Sequence, residues 1–346
     1  MIAMLMAAAA AFGVTIFGTP FLIHTLRRRG IGQQIRDDGP IEHPHVHKAG
    51  TPTMGGLAIV AAVVVGYLVA HVRRSDVAFS SSGWTLLALI VGLGIVGFVD
   101  DYLGIRARRN LGLRKRGKTA GIVAVAAGFA VLSIEWVNVS TMLTFTRPLD
   151  FDFTTLGWIM WAILVVYATA NAVNLTDGLD GLAAGSSALT FSAFVIIAFT
   201  EFRHPEIYGV LPAQGLDLAI VAAALVGACA GFLWWNAAPA RIIMGDTGSL
   251  ALGGAMAGLA LLSRTQLLLP ILAGLPLLEA ASVIAQVISY RGFRRRVLRM
   301  APIHHHFEVG GWSEFTVIVR FWLFSAICVA LGVGIFYADF LRFGIE

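Results

Sequence analysis

Charge is scarce in this chain. Of its 346 residues only 13% are Asp, Glu, Lys or Arg, while 58% are hydrophobic. Soluble domains carry roughly 25% charged and 45–50% apolar residues. The shortage excludes an ordinary soluble enzyme and agrees with a mean hydropathy of +0.80. Cysteine is nearly missing too. Cys229 and Cys328, the only two, lie inside apolar segments, so a disulfide framework is excluded and both read as small buried hydrophobes. No aromatic-rich basic patch accompanies the net charge of +5, which excludes a nucleic-acid partner; in a membrane protein such an excess marks cytoplasmic loops. A basic stretch ahead of the first apolar segment is also lacking. Arg27, Arg28 and Arg29 follow that segment instead, the pattern of a retained helix and not of a cleaved signal peptide.

What the chain has is long apolar runs. A hydrocarbon core of about 30 Å needs about 20 apolar residues per helix. Ten segments qualify, roughly 4–24, 53–72, 84–102, 119–137, 156–174, 182–200, 216–234, 249–263, 267–289 and 316–337. The eighth is short, and Pro270 and Pro276 predict a kink or break in the ninth. Lys and Arg concentrate in alternate loops, with the richest runs at 27–48, 106–118 and 291–299. The positive-inside rule places those loops in the cytoplasm. The expected fold is an all-α integral membrane protein of about ten transmembrane helices. It forms a single polytopic domain over 1–346, with both termini extracytoplasmic. Residues 136–155 alternate in hydropathy (Val137, Val139, Phe145, Phe151, Phe153) and read as a short external β-hairpin.

Against this background five carboxylates stand out. Asp100, Asp101, Asp177, Asp180 and Asp246 lie at segment ends on the basic side. A carboxylate at the centre of a membrane helix costs roughly 2.5–3.5 kcal/mol, so acids near such segments are functional candidates. Asp100 and Asp101 end the third segment and, being adjacent on a helix, point in different directions. Pairing with the following arginines is the plainer reading; a site role is favoured by Lys118 nearby. In Asn171–Asp180, Asn174, Asp177 and Asp180 recur every third position in an apolar chain, beside Gly178 and Gly181, a spacing hard to explain as packing. Asn236 and Gly245-Asp246-Thr247-Gly248 precede the eighth segment. Asp246 reads either as a helix cap or as a ligand for Mg²⁺, which takes one or two carboxylates, waters and phosphate oxygens. Lys48 and Thr53, in Lys48–Gly56, flank a Pro-Gly turn before the second segment, where Lys48 offers a phosphate contact.

Three histidines, His304, His305 and His306, stand together between the ninth and tenth segments. Adjacent side chains fan out, so one zinc ion cannot easily collect all three. Imidazoles that bind phosphate or position a leaving group fit better. The set His43, His45 and His47 reads as a solvated loop. Gln286, late in the ninth segment, reads either as an interhelical hydrogen-bond former or as part of the site. Clustered acids, cations and Gly-rich turns on one face suggest a magnesium-dependent site for a phosphorylated substrate.

Taken in order, these motifs resemble the phospho-N-acetylmuramoyl-pentapeptide transferase family across essentially the whole chain. The resemblance rests on Lys48 and Thr53 in KAGTPTMGG, on Asp100, Asp101 and Lys118, and on Asn174, Asp177, Gly178 and Asp180 in NAVNLTDGLDG. It continues through Asn236, Gly245 and Asp246, Gln286, and the histidines of PIHHHFE. It implies Mg²⁺-dependent transfer of phospho-MurNAc-pentapeptide from UDP-MurNAc-pentapeptide to undecaprenyl phosphate, giving lipid I and UMP at the cytoplasmic face of the bacterial inner membrane. It implies Asp246 and Asp177 at the metal. Asp100, Asp101, Asp246, Lys118, His304, His305 and His306 would be catalytic. Lys48, Thr53, Asn174, Gly178, Asp180, Asn236 and Gln286 would be substrate-binding. A homodimer and sensitivity to nucleoside antibiotics are further implications. One departure is visible: family members commonly carry an aromatic before Met-Gly-Asp, where this chain has Ile243. The alternatives are a sister GlcNAc-1-phosphate transferase, which PIHHHFE and KAGTPTMGG disfavour, and a cation transporter, whose acids belong nearer the bilayer midplane. A non-catalytic lipid-binding scaffold would bind substrate without turnover.

Overall fold

In hydrocarbon a helix satisfies every backbone polar group within its own segment, so apolar runs of this length fold as helices. The computed structural model describes residues 1–32, 50–73, 77–106 and 112–343. Its elements, in chain order, are α1 (Ile2–Arg28), α2 (Gly56–Arg73), α3 (Ser81–Arg106), α4 (Lys115–Glu135), β1 (Met142–Thr144), β2 (Pro148–Asp152), α5 (Thr154–Thr176) and α6 (Leu182–Arg203). They continue with α7 (Pro205–Tyr208), α8 (Pro212–Asn236), α9 (Gly245–Leu262), α10 (Leu269–Leu272), α11 (Gly274–Phe293), α12 (Ile303–Val309) and α13 (Glu314–Phe343).

All ten apolar segments expected from the sequence contain helix. The ninth is divided into α10 and α11 at Ala273, between Pro270 and Pro276. Neither proline can donate the amide hydrogen bond that would carry one helix through. Among the described residues seven helices are long and apolar enough to cross a membrane: α1, α3, α4, α5, α6, α8 and α13, with mean hydropathies between 1.7 and 2.2. The chain is therefore a multi-pass, mostly helical membrane protein. The helices α2, α9 and α11 fall outside that group.

At the centre stand α8 and α9. Against α8 pack α1, α2, α3 and α6; against α9 pack α3 and α5. From Thr247 to Leu262 every residue of α9 is buried. A helix apolar on all sides belongs inside a bundle. Between α4 and α5, β1 and β2 pair antiparallel, with Met142 opposite Asp152 and Thr144 opposite Pro148. At the hairpin end of the bundle, buried Asp217 ties three helices together. Its Oδ2 accepts hydrogen bonds from the Tyr67 hydroxyl (2.8 Å) and from the backbone N–H and hydroxyl of Ser80 (2.8 and 2.7 Å), and its Oδ1 lies 2.8 Å from His71 Nε2. The three hydrogen bonds to Oδ2 tie α8 to α2 and to the residue that opens α3.

Candidate active site

Polar residues from α3, α4, α5 and α9 converge at the other end of the bundle. The start of α9 is held by α3: Asp101 accepts the Asp246 amide (3.0 Å), the Thr247 amide (3.0 Å) and the Thr247 hydroxyl (2.6 Å). These are amides that a helix N-terminus leaves unpaired. Asp101 is thus a helix cap delivered from a neighbouring helix. The approach is close because Gly97 lies one turn earlier on α3, where a Cβ would overlap the Asp246 carbonyl.

Capping by Asp101 leaves the Asp246 side chain free for other work. One oxygen forms an ion pair with Lys118 of α4, and the other accepts from Asn174 of α5 at 2.6 Å. The same Asn174 amide nitrogen reaches Ser249 at 2.8 Å. Lys118 also faces Asp100, at 3.8 Å. As the helical geometry of adjacent residues requires, Asp100 diverges from Asp101; its Oδ1 accepts the Leu113 amide at 2.8 Å.

Just past the end of α5, Asp177 faces this cluster. Burial, then the like charges of Asp246, Asp101 and Asp180, hold its carboxyl well above the ordinary carboxylate range, although the Gly245 amide hydrogen-bonds to it. It keeps some solvent access, so protein crowds it on most sides without sealing it. A carboxylate pushed this way by its neighbours' charge is relieved by a cation.

Backbone pairing joins the remaining motifs. The Ile243 amide donates to Pro52 (2.8 Å), while the Gly55 and Gly56 amides donate to Ile243 and Met244 (both 2.9 Å). Thr53 therefore sits beside the segment leading to Asp246. Asn236 braces two motifs, accepting the Gly181 amide (3.1 Å) and donating to the Ile242 carbonyl (2.9 Å). Asp180 accepts the Ala240 amide at 2.8 Å, and its own amide donates to Glu314 at 3.1 Å. Next to them opens a cleft of about 410 Å³, lined by Thr51, Asp180, Pro239, Ala240, Ser313 and Glu314. Lys48 and the histidines at 43, 45 and 47 lie outside the described residues.

The three adjacent histidines diverge on α12. His304 points inward to α11, where its Nδ1 lies 3.1 Å from Glu279. His305 lies 2.7 Å from Glu308, and His306 accepts the Arg299 amide at 3.0 Å. Gln286 is not brought to the aspartates. Its side-chain oxygen accepts the Val297 and Leu298 amides (3.1 and 2.9 Å) and its nitrogen donates to the Leu298 carbonyl (3.1 Å). It staples the arginine-rich loop after α11. Gln286→Leu removes three such bonds, each contributing roughly 0.5–1.5 kcal/mol net. Trypsin should then cut at the exposed Arg294, Arg295 and Arg296 several-fold faster; an unchanged cleavage rate would show that the loop is held by something else.

Two acids escaped the sequence reading. Glu314 opens α13, where an acid is unremarkable. Glu279 is a lone carboxylate in the ninth apolar segment, and the rule that such acids mark function identifies it without a structure.

Residues 83–264 match the family described as glycosyl transferase family 4, and residues 48–60 match phospho-N-acetylmuramoyl-pentapeptide-transferase signature 1. The chain is 50% identical over 352 residues to the phospho-N-acetylmuramoyl-pentapeptide-transferase of Frankia alni, covering 98% of each protein. It is 46% identical to that of Saccharopolyspora erythraea, over 99% of this chain and 98% of the relative. With that of Streptomyces coelicolor it shares 49% identity, over 94% and 95%. Two-way coverage at this identity, with the polar motifs gathered around one helix terminus, means that the chain belongs to the phospho-N-acetylmuramoyl-pentapeptide transferase family.

Proposed function

We propose that this protein transfers phospho-MurNAc-pentapeptide from UDP-MurNAc-pentapeptide to undecaprenyl phosphate, releasing UMP and leaving lipid I in the bacterial inner membrane. One observation carries the reading: Asp246 collects Lys118, Asn174 and the start of α9 at one point, with Asp100, Asp101 and Asp177 around it. One substrate is soluble and the other is a lipid, so the site belongs at a membrane interface. On the charge bias of the loops that interface is cytoplasmic, and the chain is a single domain of ten spans with both termini outside. On the same reading the hairpin is external.

Phosphoryl transfer asks the protein mainly to position reactants and to stabilise charge. A lipid phosphate oxygen attacks the sugar-linked phosphorus. The bridging P–O bond breaks, and UMP leaves with its electron pair. Asp100, held by Leu113 and facing Lys118, is placed to take a proton from the lipid phosphate or to orient it, with Asp101 fixing the geometry through α9. Lys118, His304, His305 and His306 contact phosphate oxygens. The cleft beside Asp180, with Thr53, Gly178 and Asn236 near it, takes the uridine diphosphate end, to which the family resemblance adds Lys48, and nucleoside antibiotics would compete there. Ile243 leaves that pocket without the aromatic surface common in the family. Gln286 serves binding only indirectly, through its loop.

The residues present fit Mg²⁺. Asp246 and Asp177 are two mutually repelling carboxylates, the one or two protein ligands Mg²⁺ commonly takes. That leaves room for the waters and phosphate oxygens Mg²⁺ prefers. When bound, the ion would offset the repulsion between the two anionic substrates. We read the step as direct attack by the lipid phosphate; trapping a phospho-MurNAc-protein without lipid phosphate would favour a covalent phospho-aspartate at Asp246 instead. The family resemblance also points to a homodimer.

The deciding experiment follows UMP release by detergent-purified protein with undecaprenyl phosphate and Mg²⁺. We expect EDTA-sensitive release with UDP-MurNAc-pentapeptide and none with UDP-GlcNAc. Release with UDP-GlcNAc alone would assign the protein to the sister branch. Silence with both donors, in a folded preparation, would remove the transferase reading.

A further inference from the structure

Three motifs far apart in sequence form a stack beside the aspartates: Gly178 after α5, His304 on α12 and Glu279 on α11. The Glu279 side chain is 0% exposed and that of His304 is 1% exposed. A carboxylate placed in an apolar helix is expensive and is kept where it has a partner or a task. The polar neighbour of Glu279 is His304 Nδ1, at 3.1 Å. The two groups are in ion-pair range without an aligned hydrogen bond, and Nε2, on the far side of the ring, is likewise buried without a hydrogen-bond partner among the described residues. It rests against Gly178, where a Cβ would overlap Nε2 and come within 2.7 Å of Cε1. The backbone of Gly178 does not adopt a positive φ. Glycine is required there for the space the imidazole occupies, and not for the turn.

We propose that Glu279 is a positioning residue and Gly178 a seat, which together fix His304 with Nε2 presented to the 177–181 turn. A carboxylate against one imidazole nitrogen keeps the proton on that nitrogen and sets what the other can do. Glu279 holds the proton at Nδ1 and fixes the ring plane. Nε2, on the side of the ring away from Glu279, is thereby the nitrogen left for the substrate's phosphate. The arrangement follows the logic of a buried acid orienting a working histidine. It rests on the reading above that His304 meets a phosphate.

The test is steady-state kinetics on the full-length purified protein, with thermal stability measured on the same samples. The variants are Glu279→Gln, Glu279→Asp, His304→Asn, Gly178→Ala and the double variant Glu279→Gln/His304→Asn. Glu279→Gln and His304→Asn should each lower kcat by about 10- to 100-fold, the usual cost of losing an orienting partner, with KM for the sugar nucleotide little changed. The double variant should be no slower than His304→Asn alone, because the two residues act as one unit. Glu279→Asp should recover part of the loss, and Gly178→Ala, whose added Cβ displaces the ring while both side chains of the pair are kept, should join the slow group. Multiplying losses in the double variant would overturn the proposal. So would wild-type kcat in Gly178→Ala, a result that stands even if Glu279→Gln fails to fold. Wild-type kcat in Glu279→Gln with a slow His304→Asn removes the role of Glu279 alone. A fully active His304→Asn removes the phosphate reading of His304 and this proposal with it.

Discussion

Asp246→Asn should stop UMP release, with a loss of at least about 10³-fold in kcat. The expectation follows from how much converges on one carboxylate. Asp246 pairs with Lys118, accepts from Asn174 and stands at the first turn of α9. An amide of the same shape can still bond Asn174, but it offers no charge to Lys118 and a poor ligand to Mg²⁺. Losing a single preorganised electrostatic contact typically costs about 10²–10³-fold, and this substitution removes two. The fold should survive, because the start of α9 is capped by Asp101 and not by Asp246. The measurement is UMP release across a Mg²⁺ titration. Near-normal Mg²⁺-dependent turnover would sink the metal assignment.

Lys118→Met should be nearly as damaging, by about 10²–10³-fold. The Lys118 ammonium lies between Asp246 and Asp100, 3.8 Å from the latter. It is the cation that lets two carboxylates share a site which two further anions must enter. Methionine keeps the length and apolar stem but leaves those charges unbalanced. Both substrates should bind more weakly as well, so KM rises while kcat falls, in contrast with the His304 variants. Arginine should rescue only partly, since its planar fork does not reproduce a compact ammonium. A variant with wild-type KM for the lipid and a reduced kcat alone would place Lys118 outside the lipid phosphate's reach.

The helices and the identity of the polar motifs were legible in the sequence for one reason. In a chain so poor in charge, each acid at a segment end is exceptional, and each apolar run has only one way to satisfy its backbone. Local geometry was legible as well. Adjacent residues on a helix diverge, and both Asp100–Asp101 and His304–His306 do so. Partnership was not. That Asp101 caps α9, that Asn236 ties the 181 turn to Ile242, and that Gln286 holds its own following loop depend on which helices lie side by side. Periodicity carries no such information when every face of a segment is apolar. Glu279 was readable as an intramembrane acid, but its partner is a histidine that the chain brings back only after the loop that follows α11.

The shortness of α9 has a geometric consequence. Its 18 residues span roughly 27 Å at 1.5 Å each, while the neighbouring α3 has 26 residues and reaches roughly 39 Å by the same measure. Asp101, which meets the start of α9, lies five residues before the end of α3, about 8 Å below its rim. On the α3 side the reaction centre is therefore walled by about the last turn of that helix, while Lys118 and Asn174 stand within a turn of the ends of α4 and α5. A water-borne sugar nucleotide has its way in past those ends and not over α3.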